Sequence, residues 1–303
     1  MFNSTHTLVG FALGRAGFDG WSRRAVWTAV IASNLPDIDS IAGFFGTPAY
    51  LAYHRGITHS LVAMPFLAVA LAAAMYRFTG NLAKTSVIAF TALFSHLLLD
   101  YLNTYGVRPF LPFAATKYYG DTLFIIDPVF DLILLATLVC GGYLLVRRRQ
   151  QCAVCGLLLA TIYVGGRMEL RNLCRSYLPV VRNAAVSPLP LTLFRWTAYV
   201  DHPDDLTILS VNPFRGIEGK PLLLGKDHEN EAVRRAAATL SAKALMEFAR
   251  FPVTNFTLQD SRYRVTFFDA RYYNGMSAPA ARVWLDSSLN VTSESVSFRQ
   301  PLN

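Results

Sequence analysis

Two short segments place imidazole and carboxylate side chains next to apolar sequence. The octapeptide YHRGITHS carries His54 and His59 just before a long apolar run, and SHLLLD carries His96 and Asp100 near the end of another. Such side chains are costly to bury alone beside a membrane segment, so their presence there indicates a function. His96 and Asp100 are four residues apart, so on a helix both can point at one cation.

A third segment, LPDID, presents Asp37 and Asp39 after an apolar helix that Pro36 ends. His6 opens the first apolar stretch of the chain. Neutral imidazole with carboxylate suits zinc, manganese or iron, and several such ligands can hold two ions about 4 Å apart. The residues therefore predict a divalent metal site of one to three ions, with zinc favoured and manganese as the alternative.

Each of these residues alone also has a structural interpretation. A single histidine at a helix end is commonly an interfacial residue, and Asp37 or Asp39 could cap a following turn. Asp127 and Asp131, at the start of another apolar run, could join the site or serve only locally. The convergence of several such residues, rather than any one of them, favours a metal site.

The composition indicates a membrane protein. Of the 303 residues, 53% are hydrophobic and 16% charged, and the mean hydropathy is +0.32. The net charge of +8 does not favour nucleic-acid binding, because the arginines are scattered or flank apolar runs. The four cysteines lack the second pair or the fold context that metal or redox use of a CxxC requires.

Apolar runs long enough to cross or enter a bilayer lie almost entirely in the first half of the chain. The predicted spans are Ser60–Phe78, Thr85–Tyr101, Thr122–Val146 and the shorter Cys152–Gly165. Two half-helices, Thr7–Leu13 and Ala25–Leu35, precede them. The sequence thus predicts a mainly α, multi-pass transmembrane bundle over 1–166.

The second half of the chain has the composition and residue pattern of a soluble domain. FRWTAYVD, RYRVTFFDARYY and ARVWLD have strand-like composition, and Asn230–Arg250 has the spacing of a helix. We therefore predict a linker over 167–186 and a small soluble α+β domain over 187–303.

The predicted up-and-down topology gathers the histidines and aspartates on one side of the membrane. The opposite connections hold most of the basic residues: Arg15, Arg23, Arg24, Arg77, Lys84, Arg147, Arg148 and Arg149. By the positive-inside rule these face the cytoplasm, so the metal site is predicted on the non-cytoplasmic side.

These motifs, together with SHLLLDYLNTYGVRPFLPF at 95–113, resemble the YdjM-like family of predicted membrane-bound metal-dependent hydrolases. SPLPLTLFRW and FFDARY resemble the C-terminal extension of longer members. The resemblance implies a bacterial inner-membrane protein distantly similar to zinc-dependent phospholipase C and single-strand nucleases. It also implies a ligand set: His6, Asp37, His59, His96 and Asp100, with Asp39 and His54 as ligands or their hydrogen-bond partners.

A hydrolytic mechanism follows for such a site. The metal lowers the pKa of bound water from 15.7 towards about 7, and Asp39 could take the proton. Arg55 and Arg108 could bind a phosphate and stabilise its developing charge. Thr58 and Ser60 could contact the ligands or cap the next helix. A site at the membrane surface favours a phospholipid or another phosphate-containing substrate, with membrane lipids as surroundings.

Two other functions remain open from the sequence. A membrane-anchored binding or scaffold protein would use the metal only structurally and would close its ligand shell. A transporter would need polar residues through the whole bundle, but the stretch from Met64 to Met75 is uninterrupted apolar sequence. The C-terminal domain lies on the metal side if Cys152–Gly165 spans, and in the cytoplasm if that run is interfacial.

Overall fold

The computed structural model describes residues 1–22, 24–179, 183–259, 262–273 and 278–299. The N-terminal part is mostly helical. Its helices are α1 (Asn3–Leu13), α2 (Ala25–Asn34), α3 (Thr47–Tyr53), α4 (Ala63–Thr79), α5 (Leu82–Leu102), α6 (Pro128–Val139) and α7 (Arg149–Ser176). Short 3-10 or π-helical turns extend or connect them, at Gly14–Phe18, Leu35–Phe45, Ile57–His59, Cys140–Leu144 and Val146–Arg148.

Two helices in the described part of the chain are long and apolar enough to cross a membrane. They are α5 and the continuous helical stretch Val146–Ser176, which contains α7. A third span is present if Thr47–His59 and Ala63–Thr79, which meet at an angle of 80°, form one broken span. The predicted spans over Thr85–Tyr101 and Cys152–Gly165 therefore correspond to helices of sufficient length.

The predicted span Thr122–Val146 is wrong in its extent. Helix α6 begins only at Pro128, after Asp127, whose side chain accepts a hydrogen bond from the backbone N–H of Phe130 at 3.1 Å. With its π-helical extension this helix reaches only Leu144, which makes it shorter than a full span.

Small residues bring the helices that carry the candidate ligands close together. Ala29 and Ala32 on α2 and Ala89 and Ala92 on α5 are all buried in one cluster. Small side chains allow membrane helices to approach closely, as they do between these two helices. Gly10 of α1 is packed in the same way, because a Cβ atom there would lie 2.3 Å from the Ser33 hydroxyl.

The C-terminal part contains two four-stranded antiparallel sheets. The first consists of β1 (Ala184–Pro188), β2 (Trp196–Asp201), β3 (Asp205–Asn212) and β4 (Gly216–Gly225), paired in chain order. The second consists of β5 (Pro252–Gln259), β6 (Arg262–Asp269), β7 (Ala278–Leu285) and β8 (Val291–Arg299), also in chain order. Strands β2, β6 and β7 coincide with the three predicted strand segments.

The predicted helix Asn230–Arg250 is in fact two helices, α8 (Glu231–Ala237) and α9 (Leu240–Phe248). The helical structure is interrupted at Thr239, which has an extended backbone and whose side-chain hydroxyl caps the start of α9. The predicted linker 167–186 is also shorter than expected, because α7 continues to Ser176 and β1 begins at Ala184.

The C-terminal domain packs on the end of the bundle that holds the predicted ligands. Leu51 of α3 is buried in the core formed by α8, α9 and the second sheet. Asp121, in the loop between α5 and α6, pairs with Arg250 at 2.8 Å, and Arg271 donates to the carbonyl oxygen of Thr104. The domain therefore lies beside the predicted metal ligands, and the side of the membrane on which both lie stays a prediction.

The predicted basic connections lie at the other end of the bundle. Arg15 and Arg149 both pair with Asp19 at 3.0 Å, which joins the end of α1 to the start of α7. Arg24 lies over the ring of Phe78 at the end of α4. Arg23 lies outside the described residues. The charge asymmetry along the bundle is thus present, and the side of the membrane on which each end lies stays a prediction.

Candidate metal centre

Four of the predicted ligands converge on one point inside the helical part. One ligand atom from each of Asp37, His59, His96 and Asp100 lies within 4.8 Å of the others. Both histidines and Asp100 are almost completely buried, whereas Asp37 is 13% exposed. The convergence is of the kind that binds a cation.

Local structure explains why these residues meet. Pro36 lacks a backbone N–H and lies in the first turn of the 3-10 helix that follows α2, which places Asp37 beneath the end of α5. His96 and Asp100 are one turn apart on the same face of α5. His59 ends the 3-10 turn at the bend before α4.

The hydrogen bonds of the two buried histidines determine their tautomers. His96 Nδ1 lies 2.7 Å from the carbonyl oxygen of Ser33, which can only accept, so this nitrogen carries the proton. His59 Nδ1 lies 3.1 Å from Asp39 Oδ2 and 3.1 Å from the Thr58 hydroxyl. In its neutral form His59 therefore also carries its proton on Nδ1, and both Nε2 atoms then present lone pairs.

Those two lone pairs face each other across 3.1 Å. Two acceptors cannot form a hydrogen bond, so either a second proton on one of the two rings or a cation between them would remove the conflict. Asp37 Oδ1 lies 3.5 Å from His59 Nε2, and Asp100 Oδ2 lies 3.6 Å from it. Asp100 Oδ2 is buried and, although Arg55 Nε lies 3.0 Å from it as an ion pair, it accepts no hydrogen bond from the described residues. The donor set thus fits a divalent metal such as zinc.

His6 borders this group. Its ring stacks on that of His96 with centroids 3.8 Å apart, and its Nε2 lies 3.4 Å from Asp100 Oδ1. Both ring nitrogens are buried without a hydrogen-bond partner in the described part of the chain. Burial lowers the pKa of His6, although Asp100 opposes this effect, so the ring is neutral and can donate a lone pair.

Asp39 lies beside the cluster and positions two histidines. Its Oδ1 accepts from His54 Nδ1 at 2.8 Å, and its Oδ2 accepts from the Thr58 hydroxyl at 2.6 Å and from the Arg55 backbone N–H at 3.0 Å. His59 Nδ1 contacts the same Oδ2. Burial opposes ionisation, but the hydrogen bonds from His54 and His59 outweigh it and hold the pKa of Asp39 well below its usual range.

A second group of converging ligand atoms comprises Asp37, Asp39 and His54. It shares Asp37 with the first group, so the two groups are adjacent. Asp127 and Asp131 belong to neither group among the described residues. Asp127 caps α6 and accepts from the hydroxyl of Tyr163 at 3.0 Å, so its local role accounts for it.

The predicted phosphate-binding arginines have different surroundings. Arg55 is buried, with its Nη2 3.0 Å from Asp100 Oδ1 and its Nη1 3.1 Å from the Asn103 side-chain oxygen. It therefore neutralises a ligand of the cluster. Arg108 donates to the carbonyl oxygen of Ala52 at 3.1 Å and otherwise faces a cavity.

This cavity has a volume of about 310 Å³ and lies between the cluster and the C-terminal domain. Asp37 and His54 form its floor, together with Arg55 and Arg108. Sequence reasoning missed the residues that face them: Tyr105, Lys117, Phe248, Tyr272, Pro279 and Phe298. They carry no metal-ligand pattern, and the packing of the second domain brings four of them here: Phe248, Tyr272, Pro279 and Phe298.

Comparison with known proteins agrees with the sequence motifs. Residues 1–172, more than half of the chain, match the family described as YdjM inner membrane protein. A Bacillus subtilis (strain 168) protein, described as "Uncharacterized protein YfhP", is 32% identical over 124 residues, which cover 38% of this chain and 38% of that protein. No solved structure matches significantly. The chain belongs to the YdjM inner membrane protein family.

Proposed function

We propose that this protein is a membrane-bound, metal-dependent hydrolase that cleaves a phosphoester bond in a phospholipid-like substrate. The observation that carries the proposal is the set of converging lone pairs from Asp37, His59 and His96 beside Asp100, at the floor of a cavity. Asp37 belongs to both the ligand group and the cavity wall, so it connects the buried cluster with the space available to a substrate.

The four clustered residues would hold the cation, with His6 next to them. When bound, a divalent metal such as zinc, or alternatively manganese, supplies Lewis-acid activation of water and of a phosphoryl oxygen. A further ion, within the predicted one to three, would have to bind the second group around His54, and His54 can serve as a base only where that group holds no ion.

His54 is the better proton acceptor in this arrangement. Both oxygens of Asp39 already accept hydrogen bonds, and its low pKa makes it a weak base. Asp39 instead holds the Nδ1–H of His54, which leaves the other ring nitrogen of His54 as the acceptor. In this scheme Asp39 orients the base, and Arg108 stabilises negative charge that develops on the phosphoryl group.

Exposed aromatic residues near the site favour a lipid substrate. Phe44 and Phe45, on the segment that also holds Asp37, are 89% and 83% exposed, and Phe113 after α5 is 84% exposed. Phe44 and Phe45 are neighbours, and contiguous exposed apolar patches mark contact with a membrane or a partner. We propose that they lie in the head-group region, on the non-cytoplasmic side that the charge asymmetry predicts.

The test uses the full chain purified in detergent. Metal content is measured first, and the protein is then incubated with phosphatidylglycerol mixed micelles after chelation and after zinc or manganese is added back. We expect release of a phosphate-containing or diacylglycerol product that stops on chelation and returns with metal. The variant His59→Ala should lose both metal and release, whereas His202→Ala, at an exposed position, should keep both.

The alternative is a membrane-anchored binding or scaffold protein with a structural metal. The deep burial of His59, His96 and Asp100 favours it, because structural sites close their ligand shell. Stoichiometric metal that cannot be removed without unfolding, together with no metal-dependent release from any phospholipid or soluble diester, would establish this alternative and refute the hydrolase.

A further inference from the structure

The wall of the cavity that faces the metal cluster includes residues of the C-terminal domain. These are Phe248, at the end of α9, with Tyr272, Pro279 and Phe298. The family match ends at residue 172, so it says nothing about this wall. The cavity is at the lower end of the roughly 300–1,000 Å³ typical of ligand pockets, so it fits a head group rather than a whole lipid.

Lys117 lies at the junction between the two parts of the chain. Its Nζ donates to the carbonyl oxygens of Glu247 at 2.7 Å and Phe248 at 3.0 Å, at the C-terminal end of α9. A lysine ammonium has three donors, so one remains after these two bonds. The two hydrogen bonds cap the C-terminal end of α9. The third N–H donor of Lys117 stays available, and Lys117 lines the cavity.

Positive charge exceeds negative charge around this cavity. Arg55, Arg108 and Lys117 line it, against Asp37 as the acidic lining residue. Arg55 is already paired with Asp100, whereas Arg108 has, among the residues that the structure describes, only the exposed Glu247 within ion-pair range, at 4.0 Å. Burial, with Arg108 and Arg271 nearby, lowers the pKa of Lys117 to about 8, and Glu247 and Asp269 only partly oppose this effect.

We propose that Lys117 and Arg108 form an anion subsite that binds the phosphate group of the substrate, with the C-terminal domain as the opposite wall that selects the head group. The inference rests on the proposed function for the role of the metal cluster. Binding to the subsite needs only a phosphate anion and does not need turnover, so it can be tested separately.

The experiment measures binding of two probes to the zinc-loaded full chain at pH 7: inorganic phosphate, and glycerophosphoglycerol as a soluble lipid head group. The variants are Lys117→Met, which removes the charge and keeps the length, and Lys117→Arg, which keeps the charge. Lys243→Met is the control, because Lys243 lies exposed on α9. Metal content and unfolding temperature are recorded for each protein.

We expect Lys117→Met to weaken binding about 10- to 100-fold, the effect of losing one hydrogen bond to a charged group. Lys117→Arg should recover most of the affinity, and Lys243→Met should match the wild type. Tighter binding of the diester than of inorganic phosphate identifies a head-group site, and the reverse identifies a product-phosphate site. Unchanged affinity in a folded, metal-loaded Lys117→Met overturns the proposal, even if hydrolysis is confirmed.

A labelling measurement on the wild type covers the case in which Lys117→Met does not fold. An amine-acylating reagent is applied with and without glycerophosphoglycerol, and the extent of modification is read by peptide mass spectrometry. The head group should slow acylation of Lys117 several-fold and leave Lys243 unaffected. Equal protection, or no protection of Lys117 at saturating probe, contradicts the subsite.

Discussion

The substitution Asp39→Asn separates a metal ligand from a residue that only orients ligands. Asp39 accepts four contacts, from His54, Thr58, His59 and the backbone of Arg55, at 2.6 to 3.1 Å. Asparagine has the same shape but only one accepting oxygen. If the asparagine oxygen keeps the three contacts of Asp39 Oδ2, the asparagine NH2 group takes the place of Oδ1. Two donors, this NH2 group and the Nδ1–H of His54, then face each other.

The expected loss can be estimated from this geometry. Removing a hydrogen-bond partner of a metal-ligating histidine typically lowers metal affinity by about 10- to 100-fold, or about 1.4–2.8 kcal/mol. Asp37→Asn, at a residue whose oxygen points into the cluster, should cost more. Asp204→Asn, at an exposed position, is the matched control and should bind as the wild type does.

The assay is a zinc competition titration against a chromophoric chelator at fixed pH, with circular dichroism as a check on the fold. Wild-type affinity in Asp39→Asn would show that its hydrogen bonds do not organise the site. A loss as complete as that of Asp37→Asn would show that Asp39 is itself a ligand. Either result refutes the orienting role.

Two further predictions concern the C-terminal domain and the cavity wall. Asp269, buried and bonded to Arg271 at 2.6 Å, has its pKa lowered: burial opposes ionisation, but Arg271 outweighs it. The ionised Asp269 therefore stabilises the folded protein fully above the unfolded pKa of about 3.9, and this stabilisation is lost as pH falls through the lower folded pKa. Asp269→Ala should lower the free energy of unfolding by about 3–5 kcal/mol, measured by denaturant unfolding at pH 7. Gly106→Ala should cost about 1–2 kcal/mol in the same assay and displace Tyr119, because Gly106 has φ +80° and its Cβ would lie 2.4 Å from that ring.

The ligand cluster was predictable because each ligand belongs to a short local pattern. His96 and Asp100 have helical spacing, and LPDID marks a helix end, so the topology of neighbouring helices brings them together. The Ser33 carbonyl that orients His96 could not be predicted, since any residue supplies a carbonyl. The role of Arg55 was also hidden, because its position between two histidines does not reveal the ion pair with Asp100.

The shape of the C-terminal part was harder to predict than its class. Alternating residues indicated β2, β6 and β7, but the break at Thr239 depends on a cap that competes with a continuous apolar pattern. Lys117 carries no motif, and its position depends on contacts with residues about 130 positions later in the chain. Long-range packing of this kind leaves no local trace in the sequence.

The position of Leu51 joins the two halves of the molecule energetically. This side chain belongs to α3, beside the candidate metal ligands, yet it is buried among residues of α8, α9 and the second sheet. Neither half can leave the other without exposing that shared interior to solvent. Heating should therefore give one calorimetric transition rather than two, and a single cut between α7 and β1 should leave the two pieces associated.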